Sequence, residues 1–190
     1  MDEIVNNSRI EFNAYLKKWI IENNRFKTGV DVGCGTCRCD DMILSIDQQP
    51  DYRYAHAQIV WDCHDLDIFA DGKLDFIFSS HCLEDFSDIP IVFKNWWRKI
   101  KKDGMLLLLL PDMERCDCQF CNGHSRYASI EDYQATGQGN PSHKTNVGKK
   151  FMTLMLDDLK SRDEINYKIE QMDTIPHNVS CSIDFVIRKI

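Results

Sequence analysis

The sequence predicts a mixed α/β domain built around a single sheet. Short β-prone runs alternate with amphipathic helical segments, which is the pattern of strands joined by helical crossovers. The run from Met105 to Leu110 is wholly apolar, as expected of a central strand covered on both faces. Two more β-prone runs, Ile165 to Met172 and Ser180 to Ile190, predict a terminal hairpin with its turn around Pro176.

The first half of the chain predicts one helix and four short strands. Apolar residues recur at helical spacing over about residues 8–24, within an N-terminal segment 1–25. The strands are expected, in chain order, at Thr28 to Val32, Ile43 to Ile46, Gln58 to Trp61 and Leu74 to Ser79.

The second half predicts two more helices. Asp88 is expected to cap a helix that runs to about Ile100, and Lys102-Asp103-Gly104 is expected to end it at a glycine cap. A helix is also predicted over about residues 146–161. Its inner face is expected to consist of Phe151, Leu154, Met155 and Leu159.

Charge and cysteine content exclude some functions. Lys and Arg number 23 against 30 Asp and Glu, for a formal net charge of −7, which disfavours a surface that binds a nucleic-acid backbone. The acidic start Met1-Asp2-Glu3 does not resemble a secretory signal, and no apolar run is long enough to span a membrane. The nine cysteines are therefore expected to be free thiols, and the chain to be cytoplasmic.

A glycine turn follows the first predicted strand, in Val32-Gly33-Cys34-Gly35. Glycines allow a ligand to approach the backbone closely, because no Cβ stands in the way. A phosphate-binding P-loop is excluded because no Gly-Lys-Ser/Thr follows, and Arg38 stands where a dinucleotide fingerprint needs its third glycine. The acid before the turn, Asp31, points to a cationic or hydroxyl-bearing ligand.

Further acids fall where parallel strands are expected to end. Asp47 closes the second strand, and a carboxylate there can accept hydrogen bonds from both hydroxyls of a ribose. Asp62 closes the third, where it can accept from an adenine amine while the Cys63 N–H meets a ring nitrogen. Each acid alone could be a turn former, but the ordered set predicts one binding edge.

The order of these motifs resembles the S-adenosylmethionine-dependent methyltransferases of the Rossmann-like class I, and the type-11 group most closely. The segments that carry the resemblance are Asp31 to Thr36, Asp47, Asp62-Cys63, Leu74 to Glu84 and Trp97 to Gly104. The family implies a three-layer fold whose seven-stranded sheet is mostly parallel with an antiparallel last strand. It also implies an enzyme that uses S-adenosylmethionine as its methyl donor.

The resemblance also implies roles for particular residues. Four of them would hold the methionine and ribose portion: Asp31, Gly33, Cys34 and Gly35. Asp47 and the adjacent Gln48 would bind the ribose, and Asp62 and Cys63 the adenine. The residues that would line the floor near the transferable methyl are Ser79, Ser80 and His81.

One domain is expected over residues 1–190, because no Pro/Gly/Ser-rich linker divides the chain. After the N-terminal helix, residues 26–111 would form the cofactor-binding core and 112–145 a polar loop on the acceptor side. Residues 146–190 would supply the last helix and the hairpin. Departures from the family at Cys37 and Asp85, together with a short interval from Gly35 to Asp47, leave open a binding module without turnover.

Two histidines are candidates for catalysis, His81 at the end of the fourth strand and His143 in Asn140-Pro141-Ser142-His143. Either could accept the proton of a hydroxyl or amine acceptor, and either could instead be structural. No Asn/Asp-Pro-Pro-Tyr motif follows the fourth strand, which disfavours methylation of nucleic-acid bases. A small-molecule or saccharide-linked acceptor is the favoured substrate.

A cysteine-rich stretch lies in the polar loop. It contains three thiols and an imidazole, at Cys116, Cys118, Cys121 and His124, which are soft ligands of the kind that zinc prefers. The Cys-x-Cys step is tight for one tetrahedral ion, and structural zinc sites usually combine two separated pairs. Ordinary thiols in a substrate loop are therefore favoured, and no metal is expected.

Overall fold

All seven predicted strands are present in the computed structural model. It describes residues 28–35, 38–39, 43–49, 56–112, 144–145, 147–176 and 181–190. The elements in chain order are β1 (Gly29–Val32), β2 (Leu44–Asp47), β3 (Ile59–Val60), β4 (Leu74–Ser80), a 3-10 turn (Leu83–Asp85), α1 (Ile89–Lys99), β5 (Ile100–Pro111), α2 (Lys149–Ser161), β6 (Tyr167–Pro176) and β7 (Cys181–Lys189).

The strands form one sheet in the order β3-β2-β1-β4-β5-β7-β6. Strand β1 pairs in parallel with β2 and β4, and β4 pairs in parallel with β5. Strand β7 lies antiparallel to both of its neighbours, β5 and β6. The predicted fold class, a mostly parallel sheet closed by an antiparallel last strand, is therefore confirmed.

The apolar run Met105 to Leu110 of β5 is fully buried at the centre of the sheet. Alternate side chains of a strand face opposite sides, so this run contributes to two cores. One face packs with the helices α1 and α2 through Leu106, Leu108 and Leu110. The other packs with Phe76 and Phe78 through Met105, Leu107 and Leu109. At about 2 kcal/mol for each fully buried leucine, this strand supplies much of the driving force for the sheet.

The ends of α1 differ from the prediction. Asp88 is the N-cap residue, but its side chain makes no capping hydrogen bond and instead contacts His64 Nε2 at 2.8 Å. The helix ends at Lys99, and Gly104 lies within β5 rather than at a helix cap. A Cβ at Gly104 would stand 2.7 Å from the Asp75 carbonyl, so the close approach of β4 and β5 requires glycine there.

The inner face of α2 also differs in part. Its buried residues are Phe151, Met152, Met155, Leu156 and Leu159, whereas the predicted Leu154 is only half-buried. The predicted N-terminal helix over 8–24 and most of the 112–145 loop lie outside the described residues. Within the described ranges, no helix is long and apolar enough to cross a membrane.

Candidate cofactor site at the carboxyl edge of the sheet

The glycine turn after β1 depends on two backbone conformations that favour glycine. Gly33 has φ 69° and Gly35 has φ 54°, both in the left-handed region. A Cβ at Gly33 would overlap the Cys82 side chain, with its Cβ at 2.5 Å. At Gly35, by contrast, no atom of the described residues lies within 4 Å of such a Cβ. The first glycine is therefore needed for packing, whereas the second leaves open space beside the chain.

Asp47 at the end of β2 is bonded directly to this turn. Its Oδ2 accepts the Gly35 N–H at 2.9 Å and its Oδ1 accepts the Gln49 N–H at 2.9 Å. The side chain is 8% exposed, while the adjacent Gln48 is exposed. Each carboxylate oxygen has a second lone pair, so Asp47 can still accept hydrogen bonds from a ligand at this edge.

Asp31 and Cys34 have side chains that are fully buried within the protein. Asp31 Oδ2 accepts the Cys39 N–H at 2.7 Å, which holds the segment that follows the glycine turn. The Cys34 thiol lies 3.7 Å from the Gly35 carbonyl. Because both side chains face the protein, any effect of theirs on a ligand passes through the shape of the turn.

The segment after β3 forms a compact turn on the other side of the edge. Asp62 is exposed, and its Oδ1 accepts the His64 N–H at 2.8 Å. Cys63 is buried, and its carbonyl accepts the Nε1 hydrogen of Trp96 at 2.7 Å. Because Trp96 is fully buried in α1, this bond anchors the Cys63-His64 peptide to the core, directly after Asp62.

The two serines at the end of β4 differ in their partners. Ser79 Oγ donates to the Val32 carbonyl at 2.9 Å, which ties β4 to β1. Ser80 is 3% exposed, and its Oγ makes no hydrogen bond with any described residue. Of the two hydroxyls, only that of Ser80 is thus without a partner among the described residues, a difference that the adjacent positions of the two serines in the sequence do not reveal.

His81 follows Ser80 and lies next to two residues that sequence reasoning missed. Its Nδ1 is 3.3 Å from the fully buried Glu84 Oε1, and its Nε2 is 3.4 Å from Ser182 Oγ. Glu84 belongs to the segment that carried the family resemblance, so a signal for it existed. Ser182 lies 101 residues away from His81 in the sequence, and no local sequence pattern predicts their contact.

Two other groups at this edge have shifted pKa values. Loss of solvent, and then the neighbouring Glu84 carboxylate, raise the pKa of Asp85 to about 6, while His81 and Lys144 oppose this shift. The adjacent Cys63 thiol and loss of solvent raise the pKa of the Cys82 thiol. A buried thiol of this kind stays neutral and is a poor nucleophile.

Several predicted site residues lie outside the described part of the chain. They are the second histidine candidate His143 and the cysteine-rich set Cys116, Cys118, Cys121 and His124. Cys37, where the sequence departs from the family, also lies outside it. Among the residues that are described, no group of three His, Cys, Asp or Glu side chains could hold a metal ion.

A cavity of about 450 Å³ lies at the opposite edge of the sheet, away from these residues. Its basic side chains include Lys94, which pairs with Glu164 at 2.6 Å, and Lys189, whose Nζ donates to the Trp97 and Ile100 carbonyls. These cations bond to the protein itself. Strand-end ligands in open α/β sheets bind at the carboxyl edge, so this cavity does not compete as the cofactor site.

A family model and solved structures both show that the chain is similar to known methyltransferases. Residues 30–108 match a family model described as a methyltransferase domain. No curated protein matches the chain by sequence.

Solved structures with the same fold include several methyltransferases. A S-adenosylmethionine-dependent methyltransferase from Archaeoglobus fulgidus has a TM-score of 0.62 at 15% identity, over 95% of this chain and 94% of that one. The 1,6-didemethyltoxoflavin-N1-methyltransferase of Burkholderia thailandensis, with bound 1,6-didemethyltoxoflavin and S-adenosylhomocysteine, has a TM-score of 0.60 at 11% identity, over 93% and 76%. The magnesium protoporphyrin IX methyltransferase of Synechocystis, with bound S-adenosylmethionine, has a TM-score of 0.60 at 10% identity, over 99% and 83%.

The matched segment spans β1 to β5 and so contains the glycine turn, Asp47, Asp62 and the end of β4. The fold expected from the sequence is thereby confirmed. Residues 30–108 match the methyltransferase domain model, and the chain has the class I Rossmann-like fold of the S-adenosylmethionine-dependent methyltransferases.

Proposed function

We propose that this chain transfers a methyl group from S-adenosylmethionine to a small-molecule or saccharide-linked acceptor. The observation that carries the proposal is the pairing of Gly35 with Asp47. No described atom lies within 4 Å of a Cβ built at Gly35, and the Gly35 nitrogen lies 2.9 Å from Oδ2 of Asp47, the carboxylate that closes β2. S-adenosylmethionine supplies a methyl group on a sulfonium sulfur, which leaves as a neutral thioether after transfer.

The described residues fit this cofactor in three respects. A ligand can approach the protein backbone closely at Gly35, where no described atom lies within 4 Å of the position of a Cβ. The Asp47 carboxylate retains lone pairs for the two ribose hydroxyls. The exposed Asp62 carboxylate stands at the end of the third strand, where it can accept from the adenine amine.

Beyond these three residues, we assign the remaining roles as follows. The turn held by Asp31 and lined by Cys34 shapes the region for the methionine portion. Cys63, held at its carbonyl by Trp96, presents its backbone N–H to a nitrogen of the adenine ring. Ser80 offers a buried hydroxyl near the transferable methyl, with His81 beyond it. These residues act by positioning, which supplies much of the rate of an in-line displacement.

Three observations favour a small acceptor. The formal net charge of −7 disfavours nucleic acid as the substrate. The Burkholderia structure contains 1,6-didemethyltoxoflavin, a small molecule, beside S-adenosylhomocysteine. The name of the Synechocystis protein also specifies a small-molecule substrate, magnesium protoporphyrin IX. His143 remains a second candidate catalytic residue on the acceptor side, and a cytoplasmic location remains a prediction.

The alternative is a domain that binds S-adenosylmethionine without turning it over. The connection from β1 to β2 favours it, because Gly35 and Asp47 are only 12 residues apart. Such a connection is too short for a full crossover helix, which would otherwise cover one side of the cofactor. An acceptor screen that detects released S-adenosylhomocysteine separates the two functions.

Cofactor binding is tested by comparing two glycine substitutions. Gly35 and Gly72 both have positive φ, 54° and 67°, and neither would bring a Cβ within 4 Å of a described atom. Gly35→Ala and Gly72→Ala should therefore lose similar stability in urea unfolding. Only Gly35→Ala should weaken S-adenosylhomocysteine binding by calorimetry, by about tenfold or more. Equal affinity in both variants, or no binding to the unmodified protein at millimolar ligand, would contradict the proposal.

A further inference from the structure

Three side chains lie in a row at the carboxyl edge of the sheet: Glu84, His81 and Ser182. We propose that this row of side chains makes His81 Nε2 the proton acceptor for a substrate that is methylated on a hydroxyl oxygen. The inference rests on the proposed methyl transfer and specifies its acceptor class. Glu84 acts as a positioning residue, and the contact with Ser182 shows that Nε2 is the ring nitrogen that faces a hydroxyl.

The two ring nitrogens of His81 have different surroundings. Nδ1 lies 3.3 Å from Glu84 Oε1, and Glu84 is fully buried. Nε2 lies 3.4 Å from Ser182 Oγ, at the start of β7. The imidazole side chain is 27% exposed, so a substrate can reach it from the edge of the sheet. One nitrogen therefore faces a buried carboxylate, and the other faces a hydroxyl.

The backbone fixes this orientation. His81 has φ 51°, in the left-handed region that is uncommon for residues other than glycine. Its N–H donates to the Leu109 carbonyl at 2.8 Å, which holds it against β5. The 3-10 turn Leu83–Asp85 then brings Glu84 back to the ring three residues later. Strained conformations of this kind concentrate at functional sites, where surrounding structure maintains them.

The partners select one tautomer of the neutral ring. A carboxylate can only accept a hydrogen bond, so Glu84 Oε1 at 3.3 Å favours the proton on Nδ1. The Nε2 lone pair then faces the Ser182 hydroxyl, which can donate to it. Ser182 is itself buried in β7, so a substrate hydroxyl that reaches the exposed part of the ring would take over this lone pair while the Ser182 hydroxyl rotates away.

The transfer step balances with these groups alone. The acceptor oxygen forms a bond to the methyl carbon while the carbon–sulfur bond breaks, and its electron pair stays on sulfur. The hydroxyl proton passes to His81 Nε2, which makes the ring a cation beside the Glu84 carboxylate. The products are a methyl ether, S-adenosylhomocysteine and a proton, which the ring later releases to water.

This arrangement suits hydroxyl acceptors in particular. A hydroxyl keeps its proton at neutral pH and needs a base as it attacks. A thiolate or a tertiary amine already has an available lone pair and gains nothing from such a base. The substrates consistent with this row of side chains are therefore phenols, alcohols and sugars.

The tautomer can be measured without an acceptor. In protein labelled with ¹⁵N-histidine and saturated with S-adenosylhomocysteine, His81 should carry its proton on Nδ1, with the resonance assigned from the His81→Gln spectrum. Glu84→Gln should move part of the population to the Nε2 tautomer, because an amide can also donate to Nδ1. Glu164→Gln, at the opposite edge of the sheet, should leave the ring unchanged. A proton on Nε2 in the unmodified protein would overturn the proposal.

Kinetics test the chemical role with phenol, catechol and methyl glucoside as hydroxyl probes and thiophenol as the thiol probe. His81→Gln should lower kcat on the hydroxyl probes by about 100-fold or more. Glu84→Gln should lower it by about tenfold, with the KM for S-adenosylmethionine within about twofold. Unchanged kcat in His81→Gln, or turnover of thiophenol alone, would refute the role. If the unmodified protein did not bind S-adenosylhomocysteine, the proposed function itself would be refuted. If none of the probes is methylated, the tautomer measurement still decides whether Glu84 orients the His81 ring as proposed.

Discussion

The Gly35 N–H donates to Asp47 Oδ2 at 2.9 Å and so joins the end of β1 to the end of β2. The same carboxylate accepts the Gln49 N–H through its other oxygen. Asp47 is therefore a structural residue of the glycine turn as well as the proposed ribose ligand. Its two roles predict different consequences for different substitutions.

Asp47→Ala should weaken S-adenosylhomocysteine binding by about 1–3 kcal/mol, because hydrogen bonds from the ribose to a charged acceptor are lost. It should also lower the free energy of unfolding, since the Gly35 N–H loses its partner. Asp47→Asn keeps one acceptor oxygen and should retain most of the stability. Calorimetry and urea unfolding separate the two effects.

The control for this pair is Asp163→Asn, an exposed position at the opposite edge of the sheet. Its affinity for S-adenosylhomocysteine should equal that of the unmodified protein. If Asp47→Ala also bound the ligand with unchanged affinity, Asp47 would not be a cofactor ligand and the proposed register of the site would be wrong.

Gly33→Ala should be among the most destabilising substitutions in the turn. The left-handed conformation alone costs a residue with a Cβ about 1–2 kcal/mol. The Cβ would in addition overlap the Cys82 side chain, whose Cβ would be 2.5 Å away. Gly72→Ala has the same kind of φ and no such contact, so urea unfolding of the two variants isolates the steric part.

A double variant tests whether overlap with the Cys82 side chain is what destabilises Gly33→Ala. If the Cys82 side chain is the obstacle, combining Gly33→Ala with Cys82→Gly should recover the stability lost beyond that of Gly72→Ala. A double variant no more stable than Gly33→Ala would show that the overlap is not what makes glycine necessary at position 33.

The strands, and the glycines and acids at the carboxyl edge of the sheet, could be predicted because their signals are local. The apolar run from Met105 to Leu110 can only be buried, and the glycines and Asp47 stand at fixed distances along the chain. The end of α1 could not be predicted from Gly104. That glycine is required by the Asp75 carbonyl on a neighbouring strand, a contact that no periodicity reports.

The same reason explains why the surroundings of the candidate site residues could not be predicted. Ser79 and Ser80 are adjacent and chemically identical, but strand alternation directs one hydroxyl to the Val32 carbonyl and leaves the other without a described partner. Ser182 approaches His81 only because β7 pairs antiparallel with β5. Such long-range pairings determine the surroundings of a side chain, and its neighbours in sequence do not.

The two serines make a matched pair for mutation. Ser79→Ala should lower the free energy of unfolding by about 1 kcal/mol, because a buried hydrogen bond to Val32 is lost. Ser80→Ala should not destabilise the fold, since its buried hydroxyl has no partner among the described residues. Affinity for S-adenosylhomocysteine should fall in Ser80→Ala and stay constant in Ser79→Ala. The reverse pattern in calorimetry would assign the ligand contact to Ser79.

Asp85 gives the edge of the site a dependence on pH. Loss of solvent and then the Glu84 carboxylate raise its pKa from 3.8 to about 6, and the nearby His81 and Lys144 lower it. A carboxyl group whose pKa is higher in the folded state binds more protons there than when unfolded. The fold therefore loses stability through this group as the pH rises from about 4 to about 6.

Asp85→Asn removes that ionisation and should be more stable than the unmodified protein at neutral pH, with the difference vanishing below about pH 4. Asp71→Asn is the opposing control, because the hydrogen bond from Lys99 lowers the pKa of Asp71. Its ionised form is favoured by folding, so the stability that it contributes is lost as the pH falls. Urea unfolding at pH 4, 5, 6 and 7 measures both variants. A constant difference between Asp85→Asn and the unmodified protein across this range would mean that the Asp85 carboxyl group has the same pKa in the folded and unfolded chains.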